Sequence, residues 1–186
     1  MVSLLFRMRV IAGKAKGKQL KSPKGVRLRP SSDLVRGAVF SILDSLETDW
    51  SSVLDLYAGT GSFGIEALSR GAGRADFVEH NHRCSAVIKE NLDSTGLATQ
   101  AHVYNCSVSK ALSLFKERYG IILMGPPYAD SSITEILEQI ANSPLVGPGT
   151  TIVVDYSSRR PLGSNYGNFR LVKERRHGDT CISVYQ

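Results

Sequence analysis

Cysteine is scarce in this chain of 186 residues: Cys84, Cys106 and Cys181 are its three, widely spaced and without a CxxC pair. An odd, dispersed set argues against a disulfide framework and reads as reduced, partly buried thiols of a cytoplasmic protein. Histidine is equally thin. His80, His82, His102 and His177 are too scattered in sequence for a metal site, so no metal is expected. No apolar run approaches the roughly 20 residues needed to cross a bilayer, and Leu4-Leu5-Phe6 is too short for a secretory core. Repeats, low-complexity tracts and heptads are also missing. What remains is a 42% hydrophobic chain of a length suited to one globular domain with a substantial core, read as a monomer away from membranes.

Negative charge is nearly absent from the first 36 residues, which hold ten Lys/Arg against Asp33 alone. That segment carries +9 and the remainder −3, within a total of +6. A basic arm on a mildly acidic domain suits a partner with a phosphate backbone, because each neutralised phosphate releases counterions. Arg9, Lys14, Lys16, Lys18, Lys21, Arg29 and Arg36 are the candidate RNA contacts; the alternative is a solvated arm of no function. Gly13, Gly17 and Gly25 punctuate it, so residues 1–30 are expected to form an extension with a short hairpin or extended strands, ahead of a domain at 31–186.

Ser52-Val53-Leu54-Asp55-Leu56 is an apolar strand with one acid, and it runs directly into Tyr57-Ala58-Gly59-Thr60-Gly61-Ser62-Phe63-Gly64. In a doubly wound sheet such a turn lets a ligand sit against backbone N–H groups at the start of the next helix. The spacing Gly59-x-Gly61-x-x-Gly64 also fits a dinucleotide, and Glu79, ending the apolar run Ala75 to Val78, is positioned for ribose hydroxyls, with His80 beside it. Asp55 decides between cofactors: a carboxylate near the turn repels a pyrophosphate and welcomes an amine or a sulfonium. S-adenosyl-L-methionine carries both cations. A nicotinamide-dependent oxidoreductase rests on the glycine spacing alone.

A second apolar strand, Ile121 to Met124, ends in Gly125-Pro126-Pro127-Tyr128. Two prolines fix the backbone and remove two donors, leaving carbonyl oxygens to accept. The ring of Tyr128 offers a face on which a base can stack.

Elsewhere the chain alternates. Ser32-Asp33 offers an N-cap to a helix carrying Leu34, Val35, Ala38, Val39, Ile42, Leu43 and Leu46. Helices are predicted near 83–94, 108–118 and 131–141, strands at 101–104 and 150–155, and a terminal hairpin over 169–176 and 180–185. This is an α/β pattern with a mainly parallel sheet and one antiparallel strand.

Asp55 to Gly64 resembles the cofactor motif of Rossmann-like class I S-adenosylmethionine-dependent methyltransferases, and Gly125-Pro126-Pro127-Tyr128 resembles the Asp/Asn-Pro-Pro-Tyr/Phe motif of those acting on exocyclic base nitrogens. With Met8 to Gly13, Gly17 to Leu20, Leu28 to Arg36 and Gly178 to Tyr185, nearly the whole chain is similar to the RsmD-like bacterial small-subunit (16S) ribosomal RNA guanine-N2 methyltransferases. The resemblance implies a seven-stranded Rossmann-like sheet and S-adenosyl-L-methionine as cofactor, contacted by Asp55, Tyr57, Ala58, Gly59, Gly61, Glu79, His80 and Ser107. It also implies ribosomal RNA or an assembling small subunit as partner, catalysis at Gly125, Pro126, Pro127 and Tyr128, and closure over the cofactor by Arg29, Ser31 and Arg36. Three positions depart from the family pattern. Gly37 replaces a Glu, removing a salt bridge, and Ser107 replaces an Asn or Asp near the adenine. Gly125 replaces the Asp or Asn that accepts from the target amine. Asp130 or a water could compensate, or the protein could bind cofactor and RNA in ribosome assembly without catalysis. An adenine-N6 enzyme acting on RNA or DNA would share the Pro-Pro-Tyr motif.

Overall fold

The computed structural model describes residues 8–26, 28 and 31–186. Helix α1 (Asp33–Asp44) precedes the alternation β1 (Ser52–Leu56), α2 (Ser62–Ser69), β2 (Arg74–Val78), α3 (His82–Thr95), β3 (Ala101–Tyr104), α4 (Val108–Leu114), β4 (Ile121–Met124), α5 (Ile133–Ala141) and β5 (Thr151–Ser157). The chain closes with β6 (Asn165–Tyr166), β7 (Phe169–His177) and β8 (Thr180–Tyr185). One sheet orders them β3-β2-β1-β4-β5-β8-β7-β6. The pairs among β1 to β5 are parallel, and those of β8 with β5, β7 with β8 and β6 with β7 are antiparallel. The sheet therefore has eight strands, not the expected seven. The additional one, β6, is two residues long, and Tyr166 buries its ring edge-on against Tyr185.

Strand β1 lies at the centre, buried along its whole length. Val53 contributes to the core under α1, α2 and α3, while Leu54 and Leu56 face the core under α4 and α5. Ser32 caps α1 by accepting from the Val35 N–H, as its position suggests. Helix α4 stops at Leu114, short of the expected 118, because Phe115 leaves the helical region (ψ 141°) to pack against the Leu112 core. Helix α5 starts at Ile133 because the Asp130 carboxylate accepts from both the N–H and the hydroxyl of Ser132.

The basic N-terminal segment contains the expected hairpin, a turn closed by the antiparallel bridge Arg9–Gln19. It does not stand off from the domain. Met8, Val10, Ala15 and Leu20 enter the core of α1, α2 and α3. The buried Glu66 carboxylate accepts from the N–H groups of Ile11 (2.7 Å) and Ala12 (3.0 Å), and Ser69 accepts from Ala15 N–H while donating to Ala12 O. Gly13 sits at the closest approach: with φ +80°, a Cβ on it would lie 1.8 Å from the Ser69 carbonyl oxygen. Gly13→Ala is expected to lose about 1–3 kcal/mol to overpacking and roughly a further 1–2 kcal/mol to the left-handed backbone. Urea denaturation reads this directly, and an unchanged midpoint would refute the docking.

Candidate functional site

The C-terminal ends of β1, β2 and β4 surround one cleft of about 390 Å³. The turn after β1 forms its floor. Tyr57 holds a left-handed backbone (φ 60°), and Gly59 and Gly61 follow at φ 58° and 76°, so Gly61 can serve as N-cap of α2. Gly64 is required for packing: a Cβ there would fall 2.3 Å from the Phe77 ring, blocking α2 from β2. This close approach lets the Gly64 N–H donate to Asp55 Oδ2 at 2.9 Å.

Asp55 lines the cleft while almost wholly buried. Burial pushes its carboxyl up to about 8; the Gly64 N–H acts in the opposite direction, and the nearby Glu79 charge adds to the rise. Such an acid favours a cationic guest. At the end of β2, Glu79 accepts from Gly59 N–H (2.9 Å) through Oε2 and from Asn81 N–H (2.8 Å) through Oε1, which also faces His80 Nδ1 at 3.2 Å. These bonds fix the carboxylate at the rim, and Oε2, with one donor on it, keeps a lone pair for a ligand hydroxyl. The His80 imidazole is exposed beside it.

Gly125 and Pro127 line the same cleft, whereas Tyr128 turns into an adjoining cavity, where its hydroxyl hydrogen-bonds to that of Thr180. The backbone N–H of Gly125 donates to Leu56 O, tying this loop to β1. Asp130, the candidate substitute for the missing acid, is engaged at the start of α5 with Ser132 and does not line the cleft. It also faces the Tyr57 hydroxyl, which burial and the Asp130 charge push up to about 12, so that Tyr57 remains a donor.

Asp55, Tyr57, Ala58, Gly59, Glu79, His80, Gly125 and Pro127 thus come together in one cleft. Ser107 does not join them. Its hydroxyl caps α4 by accepting from Lys110 N–H, and it lines a small neighbouring cavity that shares Tyr57 and His80 with the cleft. The sequence reading missed Met8, Val26 and Leu28, apolar walls contributed by the N-terminal segment, because nothing local marks them as facing a site far ahead in the chain.

Of the basic candidates, Lys16 and Lys18 are exposed, Arg9 pairs with Asp33 at 3.2 Å and Lys21 with Glu90 at 2.8 Å, both in water. Lys14 donates to Gln100. Arg29 lies outside the described residues. Arg36 corrects the expectation: it is 0% exposed and donates to Ser31 O, Arg9 O and Asp33 Oδ1. Burial lowers its pKa while Asp33 and Glu66 oppose that shift. It ties α1 to the N-terminal segment and offers nothing to a phosphate. At Gly37, a Cβ would meet no described residue within 4 Å beyond its chain neighbours and its own helix backbone. Among the described residues no cluster of His, Cys, Asp and Glu could hold a metal ion, and no helix is long and apolar enough to cross a membrane.

A family model described as Conserved hypothetical protein 95 matches residues 8–186. The chain is 30% identical over 182 residues to YlbH of Bacillus subtilis, covering 96% of this chain and 98% of that protein. It is 28% identical to ribosomal RNA small subunit methyltransferase D of Escherichia coli, covering 96% and 89%. The solved structure of a hypothetical protein from Thermus thermophilus superposes with a TM-score of 0.80 at 30% identity, covering 95% of this chain and 98% of that one. The chain therefore belongs to the Conserved hypothetical protein 95 family, the RsmD family, in which the small-subunit ribosomal RNA methyltransferases D are its curated relatives.

Proposed function

We propose that this protein is an S-adenosyl-L-methionine-dependent methyltransferase acting on the exocyclic N2 amine of a guanine in small-subunit ribosomal RNA. The observation that carries the reading is the pair of acids at the glycine turn: Asp55 buried under the cleft, Glu79 at its rim, and the apolar Met8, Leu28 and Phe63 also lining it. A cationic amino-acid end suits Asp55 and a ribose suits Glu79, while a pyrophosphate would meet two carboxylates. When bound there, S-adenosyl-L-methionine supplies an electrophilic methyl group and leaves as S-adenosylhomocysteine.

The chain's own residues have the remaining tasks. Guanine N2 is a poor nucleophile because its lone pair is delocalised into the ring. The Pro126 carbonyl oxygen accepts one amine N–H, which favours pyramidalisation and localises the lone pair. The Tyr128 ring fixes the plane of the base, and the surplus proton on nitrogen leaves to water. Lys16 and Lys18 attract the phosphate backbone. Replacing both with Ala is expected to weaken RNA binding regardless of sequence and to lower the slope of log affinity on log salt by about 1.4–1.8. A salt titration of RNA binding measures it, and an unchanged slope would remove these lysines from the interface.

The test of the whole reading is transfer of labelled methyl from S-adenosyl-L-methionine to unmodified small ribosomal subunits, with the product nucleoside identified. N2-methylguanosine is the expected product; label in adenine would point to an N6 enzyme. Gly125 favours a second reading, a cofactor-binding and RNA-binding protein without catalysis, and binding of both ligands without transfer would establish it.

A further inference from the structure

The chain has a second basic end. Residues 157–186 hold six Lys/Arg against Glu174 and Asp179, a net +4, while residues 37–156 carry −7. All six of those basic residues are exposed. The strand register sorts them. Lys173, Arg175 and His177 of β7 pair with Val184, Ile182 and Thr180 of β8, and cross-strand partners share a face. Val184 and Ile182 enter the core that α1 covers, so the row Lys173, Arg175, His177 stands on the α1 side of the sheet. Neither Lys173 nor Arg175 forms an ion pair among the described residues. Glu174, the one acid on β7, points to the opposite face, where its Oε2 accepts from the hydroxyls of Tyr156 and Ser183.

The direction of β7 places this row at the reacting end of the fold. Strand β7 is antiparallel to β8, and β8 to β5, so β7 ends at the same edge as the parallel strands whose C-terminal ends surround the cleft. His177, last in the row, lines a cavity of about 480 Å³ together with Thr180 and Tyr128. Arg159, in the turn after β5, lies at this edge too: the neighbouring Ser158 N–H donates to Asp179 O between β7 and β8, and Arg159 faces the Asp179 carboxylate at 3.9 Å. The turn that carries Lys16 and Lys18 is docked at the other end. There Lys14 donates through its N–H to Ser69 O and through Nζ to Gln100, residues that lead into the starts of β2 and β3.

We infer that Lys173 and Arg175, with Arg159 beside them, form a second phosphate-binding surface that holds the RNA backbone next to the Pro-Pro-Tyr loop. The inference deepens the RNA methyltransferase reading and rests on it for the identity of the partner. A base that enters the cleft remains joined to phosphates on either side, and a row of cations ending at the wall that Tyr128 shares neutralises them where they pass. Two cations two residues apart on a strand, roughly 6.6–6.8 Å, grip a backbone without reading sequence. Charge on an open edge strand also discourages pairing between molecules, and β7 is such an edge beyond its two-residue partner β6. Edge protection works with either sign, whereas the only acid here is held by two hydroxyls on the other face.

The test is a salt titration of binding to in-vitro-transcribed small-subunit ribosomal RNA by the full chain, without cofactor. The double variant Lys173→Gln/Arg175→Gln is expected to lower the slope of log affinity on log salt by about 1.4–1.8, so that the advantage of the wild type shrinks roughly 7- to 12-fold between about 50 and 200 mM salt. The exchanged pair Lys173→Arg/Arg175→Lys keeps both charges and is expected to retain the wild-type slope. An unchanged slope in the glutamine variant overturns the inference, as does an equal loss in both variants. So does a glutamine variant that self-associates while its soluble fraction keeps the wild-type slope, the mark of edge protection alone, or one that loses only binding to phosphatidylglycerol vesicles. The two readings fail separately: a lowered slope without methyl transfer in the wild type overturns the enzyme, and transfer with an unaltered slope overturns this surface.

Discussion

Asp55→Asn is expected to abolish useful binding of S-adenosyl-L-methionine while making the ligand-free protein more stable at neutral and alkaline pH. The carboxylate sits almost wholly buried in the cleft with the Gly64 N–H donating to it, and Asn can still accept from that N–H. What disappears is the charge. Removing one member of a buried charge pair costs about 2–5 kcal/mol, roughly 30-fold to several-thousand-fold in affinity. The stability change has the opposite sign. The folded-state carboxyl is raised from 3.8 to about 8, so the folded chain holds the proton more tightly than the unfolded one. Stability contributed by that proton is complete below the ordinary carboxylate range and is lost as pH rises through about 8. Asn has no such loss, so its advantage in thermal denaturation should grow from pH 5 to pH 8. Ligand affinity of the wild type should rise with pH, by up to about tenfold per unit, until the carboxyl is ionised. Calorimetric titration at several pH values checks this, and a variant that still binds the ligand would remove Asp55 from the site.

Gly125→Asp is expected to raise the rate of methyl transfer by about 10- to 150-fold, the worth of a hydrogen bond to a charged acceptor made as the amine pyramidalises. The cleft accepts the new side chain. Among the described residues, no atom outside its chain neighbours lies within 4 Å of a Cβ at Gly125, and its backbone is outside the left-handed region that favours glycine. Cofactor affinity should change little, because Asp55 and Glu79 remain in place. Single-turnover transfer to small subunits, with parallel binding measurements, separates the two quantities. A variant no faster than the parent would mean that position 125 takes no part in holding the amine.

The contiguous motifs were legible because their chemistry is local. Asp55, Gly59, Gly61 and Gly64 belong to one strand and its turn, and the spacing that closes the turn also directs the acid under it. Glu79 follows because β2 lies parallel beside β1 with Leu56 paired to Val78, which brings both strand ends to one edge. The hairpins were legible for the same reason, since turn residues and alternation sit within a few positions of each other. Strand β6 was not, because two residues have no periodicity to read. The capping role of Ser107 was not read from the sequence, although a hydroxyl at a helix start first satisfies the helix's own N–H groups, here that of Lys110.

Charge shows the limit most clearly. Ten basic residues in the first 36 were counted from the sequence as one electrostatic arm, and the sequence determines that much: a positive end, an α/β alternation and a glycine turn directly after a strand that carries one acid. Only the tertiary structure separated Lys16 and Lys18, which face water, from Arg36, whose guanidinium is enclosed by carbonyls of Arg9 and Ser31 and the carboxylate of Asp33. It alone brought His177 of β7 into one wall with Ser31 and Tyr128. The physical reason is common to both: burial and electrostatic partnership depend on which distant segments the sheet order β1-β4-β5-β8-β7 makes neighbours, and that order is set by packing across the whole fold rather than by any residue's adjacent sequence.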